Sequence, residues 1–325
     1  MGAQVAHSNR FSSMVQGCLL VVLLLAAGPI RAQSPVAPSA ADIPADQEPI
    51  TPVPPAPASD PRIVALGERL FNDPHLSGDG TRACSSCHDV QTNGADSNRY
   101  DTTPEGGPTT FHTISVFDSS LGYRTDWEGN ARTLEEQAAL SLNDPQLMAS
   151  SNATALRAVR SDPDLSRRFE MIYGHKVRTA DLFNAIATYE RSLVTPGSRF
   201  DLWLTGDKTA LSAEEQNGYE LFKSFGCISC HQGVDLGGNL FERSGIFHAI
   251  GGSQGRLLLV PGLRNVAVMA PYFHNGSART LDRAVAEMGL AQLDRHLTDD
   301  QIQAVAAFLK TLTGRYDGRQ LTPSK

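Results

Sequence analysis

The 325-residue sequence is poor in several things at once. It has five cysteines, a 7% aromatic content and no lysine- or arginine-rich run. With a formal net charge of −7, it lacks the basic footprint that phosphate backbones require, which excludes a nucleic-acid partner. A mildly acidic surface suits a basic protein partner instead. Few stretches alternate between apolar and polar residues at a period of two, which argues against a β-rich fold. Leu19 to Ala27 is the longest unbroken apolar run and is too short to span a bilayer comfortably. It follows a short polar region with His7 and Arg10 and precedes Ile30-Arg31-Ala32-Gln33. This pattern predicts a signal peptide over 1–32 and export to the periplasm, the alternative being an uncleaved anchor. No other run approaches spanning length, so no stable membrane insertion is expected of the mature chain.

Cys18 precedes the apolar run and leaves with the signal peptide on this reading. The other four cysteines lie in two pentads, Cys84-Ser-Ser-Cys87-His88 and Cys227-Ile-Ser-Cys230-His231. An exported chain with four cysteines could form two disulfides. The histidine directly after each second cysteine, and the absence of cysteine outside the pentads, argue against that. Covalent attachment of a c-type haem needs two thiols spaced to reach both vinyl groups and an imidazole beneath the iron, and the pentad supplies all three. One pentad alone could be a redox dithiol or part of a zinc site; two, in matching positions of a repeat, point to two haem c groups. Cys84, Cys87, Cys227 and Cys230 are then the attachment points, and His88 and His231 the proximal ligands.

The repeat is visible in three echoes. Gly67-Glu-Arg-Leu-Phe71 precedes the first pentad and Gly218-Tyr-Glu-Leu-Phe222 the second. Trp127-Glu-Gly-Asn-Ala-Arg-Thr-Leu134 matches His274-Asn-Gly-Ser-Ala-Arg-Thr-Leu281, 147 positions later. Asn184-Ala-Ile-Ala-Thr-Tyr-Glu-Arg-Ser-Leu193 resembles Gln303-Ala-Val-Ala-Ala-Phe-Leu-Lys-Thr-Leu312. Apolar residues in the last pair recur at helical spacing, Thr298 and Gln301 form a capping box before it, and Gly314 suits its stop. The expected fold is mainly α, with two cytochrome c-like haem domains related by internal duplication, at 61–200 and 201–325. Residues 33–60, rich in Pro, Ala and Ser, read as a flexible linker with no core to bury.

The sixth ligand decides whether a haem carries electrons or does chemistry. Met288, after the second pentad, is the candidate ligand of the second haem; it could equally be a core methionine, and Met269 is the other candidate. The 147-residue offset puts Ser141, a poor iron ligand, at the place of Met288 in the first half. One closed and one open haem is the pattern of an enzyme. Trp127 could relay electrons between the haems or be a packing tryptophan.

From about residue 61 to 314 the sequence resembles the bacterial di-haem cytochrome c peroxidase and MauG superfamily. The resemblance rests on Leu76-Ser-Gly-Asp-Gly-Thr-Arg-Ala-Cys-Ser-Ser-Cys-His88, Val260-Pro-Gly-Leu-Arg-Asn265 and Ala270-Pro-Tyr-Phe-His-Asn-Gly276, supported by Leu134-Glu-Glu-Gln-Ala138 and Met288-Gly-Leu-Ala-Gln-Leu293. It implies a peroxidatic amino-terminal haem and a carboxy-terminal haem refilled by a small exported cytochrome c or cupredoxin. Met288 follows the peroxidase pattern, and Trp127 falls where the family has its inter-haem tryptophan. The departures cluster around the first haem. Leu147 stands where the family has a distal glutamate. Asp101 to Gly107 has no histidine where the peroxidases carry a switchable one. His112 stands at an asparagine position that helps hold calcium, with the Pro271 carbonyl on the other side of that site. A calcium ion and a homodimer are further implications.

The expected activity is reduction of hydrogen peroxide to water. His112, Glu105 or Asp144 would have to replace the missing distal base; His112 could instead be a loop histidine, and Glu105 and Asp144 solvated carboxylates. Two other readings stay open: a MauG-like enzyme that oxidises residues of a partner protein, and a non-enzymatic di-haem electron carrier or sensor.

Overall fold

The structure, a computed structural model, describes residues 48–252 and 255–324; the signal peptide expected over 1–32 lies outside the described residues. Nine α-helices and two small two-stranded sheets form the described chain. The mainly helical, duplicated fold read from the sequence is what the structure shows.

Each half is built around a crossed helix pair. In the first, α1 (Pro61–Phe71) packs on α5 (Thr179–Ser192); in the second, α7 (Ala213–Ser224) packs on α9 (Asp299–Lys310). The crossing depends on the glycine of the first echo. A Cβ on Gly67 would lie 2.0 Å from the Ala185 carbonyl oxygen, and one on Gly218 would lie 1.9 Å from that of Ala304. Only a missing side chain allows backbones this close. Three further helices, α2 (Leu134–Asn143), α3 (Asn152–Ser161) and α4 (Pro163–Tyr173), complete the first half, and α8 (Leu281–Leu293) the second. The capping box before α9 forms as expected, Thr298 Oγ1 accepting from Gln301 N and Gln301 Oε1 from Thr298 N. Gly314 does not stop the helix, which ends at Lys310; it permits close approach to the Thr195 carbonyl instead.

The 147-residue offset has a structural counterpart. Thr133 caps α2 by accepting from Glu136 N, and Thr280 caps α8 by accepting from Arg283 N. Before each cap lies the same bridged loop, Thr125 pairing with Ala131 and Tyr272 with Ala278, with positive φ at Asp126 and Phe273.

Two features depart from the expected domain limits. The segment 48–60 is not a coreless linker: Ile50 is fully buried among Phe200, Tyr219 and Phe308, Glu48 accepts from the Tyr219 hydroxyl, and the Thr51 carbonyl accepts from Arg264. Burial of a single isoleucine and satisfied backbone groups anchor an otherwise proline-rich stretch. The 200/201 boundary cuts α6 (Arg199–Leu204), whose Phe200, Trp203 and Leu204 join the second core. In the opposite sense, a terminal two-stranded hairpin, Arg315–Tyr316 with Arg319–Gln320, returns to the first half. There Leu321 packs with Phe71, Tyr189 and Leu193, and Tyr316 meets Phe117 at 5.0 Å. Each end of the described chain thus packs on the other half.

Candidate haem sites

Both pentads fold identically. Cys84–Ser86 and Cys227–Ser229 are single 3-10 turns, and His88 N and His231 N each donate to the first cysteine's carbonyl at 3.0 Å. All four thiols are free. The histidine rings are fixed from behind. Nδ1 of His88 bonds the Gly94 carbonyl at 3.1 Å and Nδ1 of His231 that of Leu236 at 3.0 Å. This sets the tautomer and leaves Nε2 as the ligand atom. Burial holds both imidazoles below their ordinary pKa, in the neutral form that coordinates iron. Phe71 lies 6.4 Å from the His88 ring at 48°, and Phe222 lies 6.3 Å from the His231 ring at 48°.

A cavity of about 340 Å³ opens beside the second pentad. Cys227, Cys230, His231, Met288 and Met269 line it, with Leu263, Val285 and Leu309 among its apolar walls. Paired thiols, a fixed imidazole and a thioether around an apolar cavity are the donor set of a His/Met haem c, so the residues fit the group. In the first half, Ser141 occupies the place on α2 that Met288 has on α8, and its hydroxyl accepts from Gln137 Nε2 at 2.8 Å.

Trp127 sits where the two duplicated loops meet. Its ring contacts His274 edge-on at 6.2 Å and Phe111 at 6.4 Å, and its Nε1 donates to the His112 carbonyl at 2.7 Å. His112 N donates to the His274 carbonyl in turn. The His112 ring is buried and bonds the Asn98 carbonyl through Nδ1 at 2.9 Å. His112 braces the tryptophan through its backbone carbonyl. A His112→Ala protein is expected to lose about 1–3 kcal/mol of stability, the cost of an unsatisfied buried group, with peroxide turnover unchanged. A fall in turnover matching that of a distal-base mutant would return the ring to the chemistry.

Calcium fits poorly here. The cation takes oxygen ligands, whereas His112 offers a nitrogen already bonded and a carbonyl already used by Trp127. Pro271, after a cis peptide bond, lines the second cavity.

The loop expected to hold a distal histidine folds back on itself, Thr103 N donating to Gly107 O. Glu105 is exposed at its tip. Asp144 stands beyond the end of α2 and accepts from Gln146 N. Asp101 is drawn instead toward Cys87 and Asp96, all within 4.8 Å. Burial and the neighbouring Asp101 push Asp96 up to about 7, and Thr113 Oγ1 donates to Asp101. Gln146 Oε1 ties the Leu147 turn to this loop by accepting from Thr110 N at 2.9 Å. Two residues the sequence reading passed over matter more. Arg264 pairs with Asp201 at 2.8 Å in the core and holds the Val234 carbonyl, which shapes the loop after the second pentad. Glu190, on α5, is buried near Cys84; its signal was the mismatch between Tyr189-Glu190 and Phe308-Leu309 in the third echo.

Comparison with known proteins gives a consistent placement. Residues 61–209 match the family model described as di-haem cytochrome c peroxidase, and residues 215–313 match that of cytochrome c. A cytochrome c551 peroxidase of Nitrosomonas europaea is 38% identical over 297 residues, covering 85% of this chain and 87% of that protein. The methylamine utilization protein MauG of Methylorubrum extorquens is 28% identical, covering 68% and 67% respectively. Among solved structures, a MauG-like protein associated with microbial copper homeostasis superposes with a TM-score of 0.69 at 27% identity, covering 81% of this chain and 93% of that one.

Proposed function

Because the chain belongs to the di-haem cytochrome c peroxidase family, we propose that it reduces hydrogen peroxide to water with electrons from a small exported cytochrome c or cupredoxin. The carrying observation is the inequality of the halves: His231 and Met288 line one cavity, while the equivalent position in the first half is Ser141. Bound haem supplies an iron that exchanges single electrons and, where its sixth position is open, binds peroxide.

The protein's own contribution follows from the side chains. His88, oriented by the Gly94 carbonyl, would hold the peroxidatic iron through Nε2. Gln137 and Ser141 form a hydrogen-bonded polar pair on α2. Leu147, 38% exposed, offers no proton relay. Positioned acid–base groups contribute roughly 10²–10⁴-fold, so slow turnover relative to a peroxidase with a distal carboxylate is part of the proposal. Met288 would offer the second haem a thioether, the ligand that raises a haem's reduction potential and fills its open position. Trp127, braced by His112 and packed on His274, stands at the junction of the halves as the electron relay.

The test is peroxide addition to the purified two-haem protein with reduced cytochrome c present. Stoichiometric oxidation of two cytochromes per peroxide supports the proposal, and no electron consumption sinks it. A second reading, oxidation of residues on a partner protein, is favoured by the absence of histidine from 101–107 and by the likeness to a MauG-like structure. Peroxide consumption without cytochrome oxidation, but with covalent change in a partner, selects it. Periplasmic location follows from the same proposal: haem c function needs export. Among the described residues no helix is long and apolar enough to cross a membrane.

A further inference from the structure

The two halves differ beside the pentads as well as at the position of Met288. The crossed helices repeat one ring contact in both halves: Phe71 meets Tyr189 at 5.3 Å, as Phe222 meets Phe308 at 5.3 Å. The next residue is Leu309 in the second half, and it lines the cavity that holds Cys227, His231 and Met288. Its counterpart is Glu190. Glu190 thus stands near Cys84 of the first pentad, at the helix position where the second half has an isobutyl group.

Glu190 is 5% exposed, and its Oε2 has no hydrogen-bond partner. Its nearest cation does not neutralise it by contact: Arg191 points to Glu135 on α2 and donates to both of its oxygens, at 2.6 and 2.7 Å. The charged groups acting on Glu190 are therefore Arg191 on its own helix and Glu135 on α2. Glu68 on α1 acts on the adjacent Tyr189. From the pentad turn, Cys84 feels the charge of Glu190 directly. Burying a carboxylate costs several kcal/mol unless it is paired or neutralised, so a buried carboxyl with one unpartnered oxygen near a haem-attachment cysteine favours carrying a proton.

We propose that Glu190 is the proton-binding group of the amino-terminal haem: it takes up one proton from solvent as that haem gains one electron, and releases it on re-oxidation. The balance is simple. Ferric haem with ionised Glu190, plus one electron from the partner haem and one proton, gives ferrous haem with protonated Glu190. An anion in the low-dielectric wall stabilises the more positive ferric state, and by reciprocity the ferric state stabilises the anion. Burial, with Glu135 adding to it and Arg191 opposing, pushes the carboxyl up to about 8, which places the exchange near neutral pH. Since Leu147 leaves the distal face without a carboxylate, Glu190 makes electron delivery to this site proton-coupled by another route. Glu190 acts through the haem and is a positioning residue, not a catalytic one.

The inference rests on the two-haem reading but not on peroxide turnover, and its test omits peroxide. In the holoprotein, haem-resolved potentiometry from about pH 6 to about pH 9 should show the reduction equilibrium of the amino-terminal haem falling with rising pH. The fall should approach tenfold per unit, or 59 mV for one electron. The carboxy-terminal haem, backed by Leu309, should stay nearly flat. Glu190→Gln should abolish the slope with both haems still attached. In the unmutated protein, the redox difference infrared spectrum should show a carboxyl protonating on reduction. A pH-independent amino-terminal potential, or a slope that survives Glu190→Gln, overturns the inference while leaving the peroxidase proposal standing.

Discussion

Leucine in place of Met288 is expected to abolish most peroxide-driven oxidation of reduced cytochrome c while leaving both haems covalently bound. Met288 lies in the second turn of α8 and shares its cavity with His231. Met-to-Leu exchange conserves volume and usually costs under about 1.5 kcal/mol, so the fold survives and the thioether is what is lost. Thioether ligation raises the potential of a haem. A drop on the order of 100 mV would weaken its reduction by roughly 50-fold, enough to starve the first haem of electrons. Potentiometry and steady-state oxidation of cytochrome c read the two effects together. An unchanged potential with full turnover would transfer the ligand role to Met269, which lines the same cavity, and Met269→Leu would then show the loss.

The second large effect is on stability, at the seam between the halves. Asp118 is 2% exposed and sits in the left-handed region at φ 61°. It accepts from Thr195 N at 2.8 Å, from the Thr195 hydroxyl, and from Asn265 Nδ2 at 2.9 Å. Asn265 Oδ1 accepts from Gly314 N at 2.9 Å, so one carboxylate organises residues from both halves and the approach to the terminal hairpin. Asp118→Ala strands three buried donors. The expected loss is about 3–5 kcal/mol, the range for breaking a buried charged network from one side. At about 2–4 °C per kcal/mol for a chain of this size, Tm should fall by on the order of 10 °C. Denaturant unfolding of the holoprotein checks it; a loss under about 1 kcal/mol, the worth of a surface pair, would show that the network is solvated.

These two sites were not equally legible in the sequence. The pentads, Met288 and the 147-residue offset were, because haem attachment needs fixed residue types at fixed spacing and because duplication repeats them. The packing of Ile50 and Leu321 on the opposite halves was not, since single apolar residues in proline-rich or polar tails carry no periodicity. Asp118 was silent for a related reason: its partners are 77 and 147 residues away, and no local pattern links them. Glu105 was proposed from its place in a loop, and a turn with Gly106 at φ +88° carries it into solvent. Glu190 lies in an echo whose helical spacing is all the sequence shows; only the crossing of α1 and α5 puts it, as Leu309's equivalent, near the first pentad.

The unequal ligation of the two haems is tested most directly by electron paramagnetic resonance and absorption spectra of the fully oxidised protein. One low-spin His/Met haem and one high-spin or weakly ligated haem are expected, with Met288→Leu converting the first and leaving the second unchanged. Two low-spin, six-coordinate haems would contradict the account and describe an electron carrier.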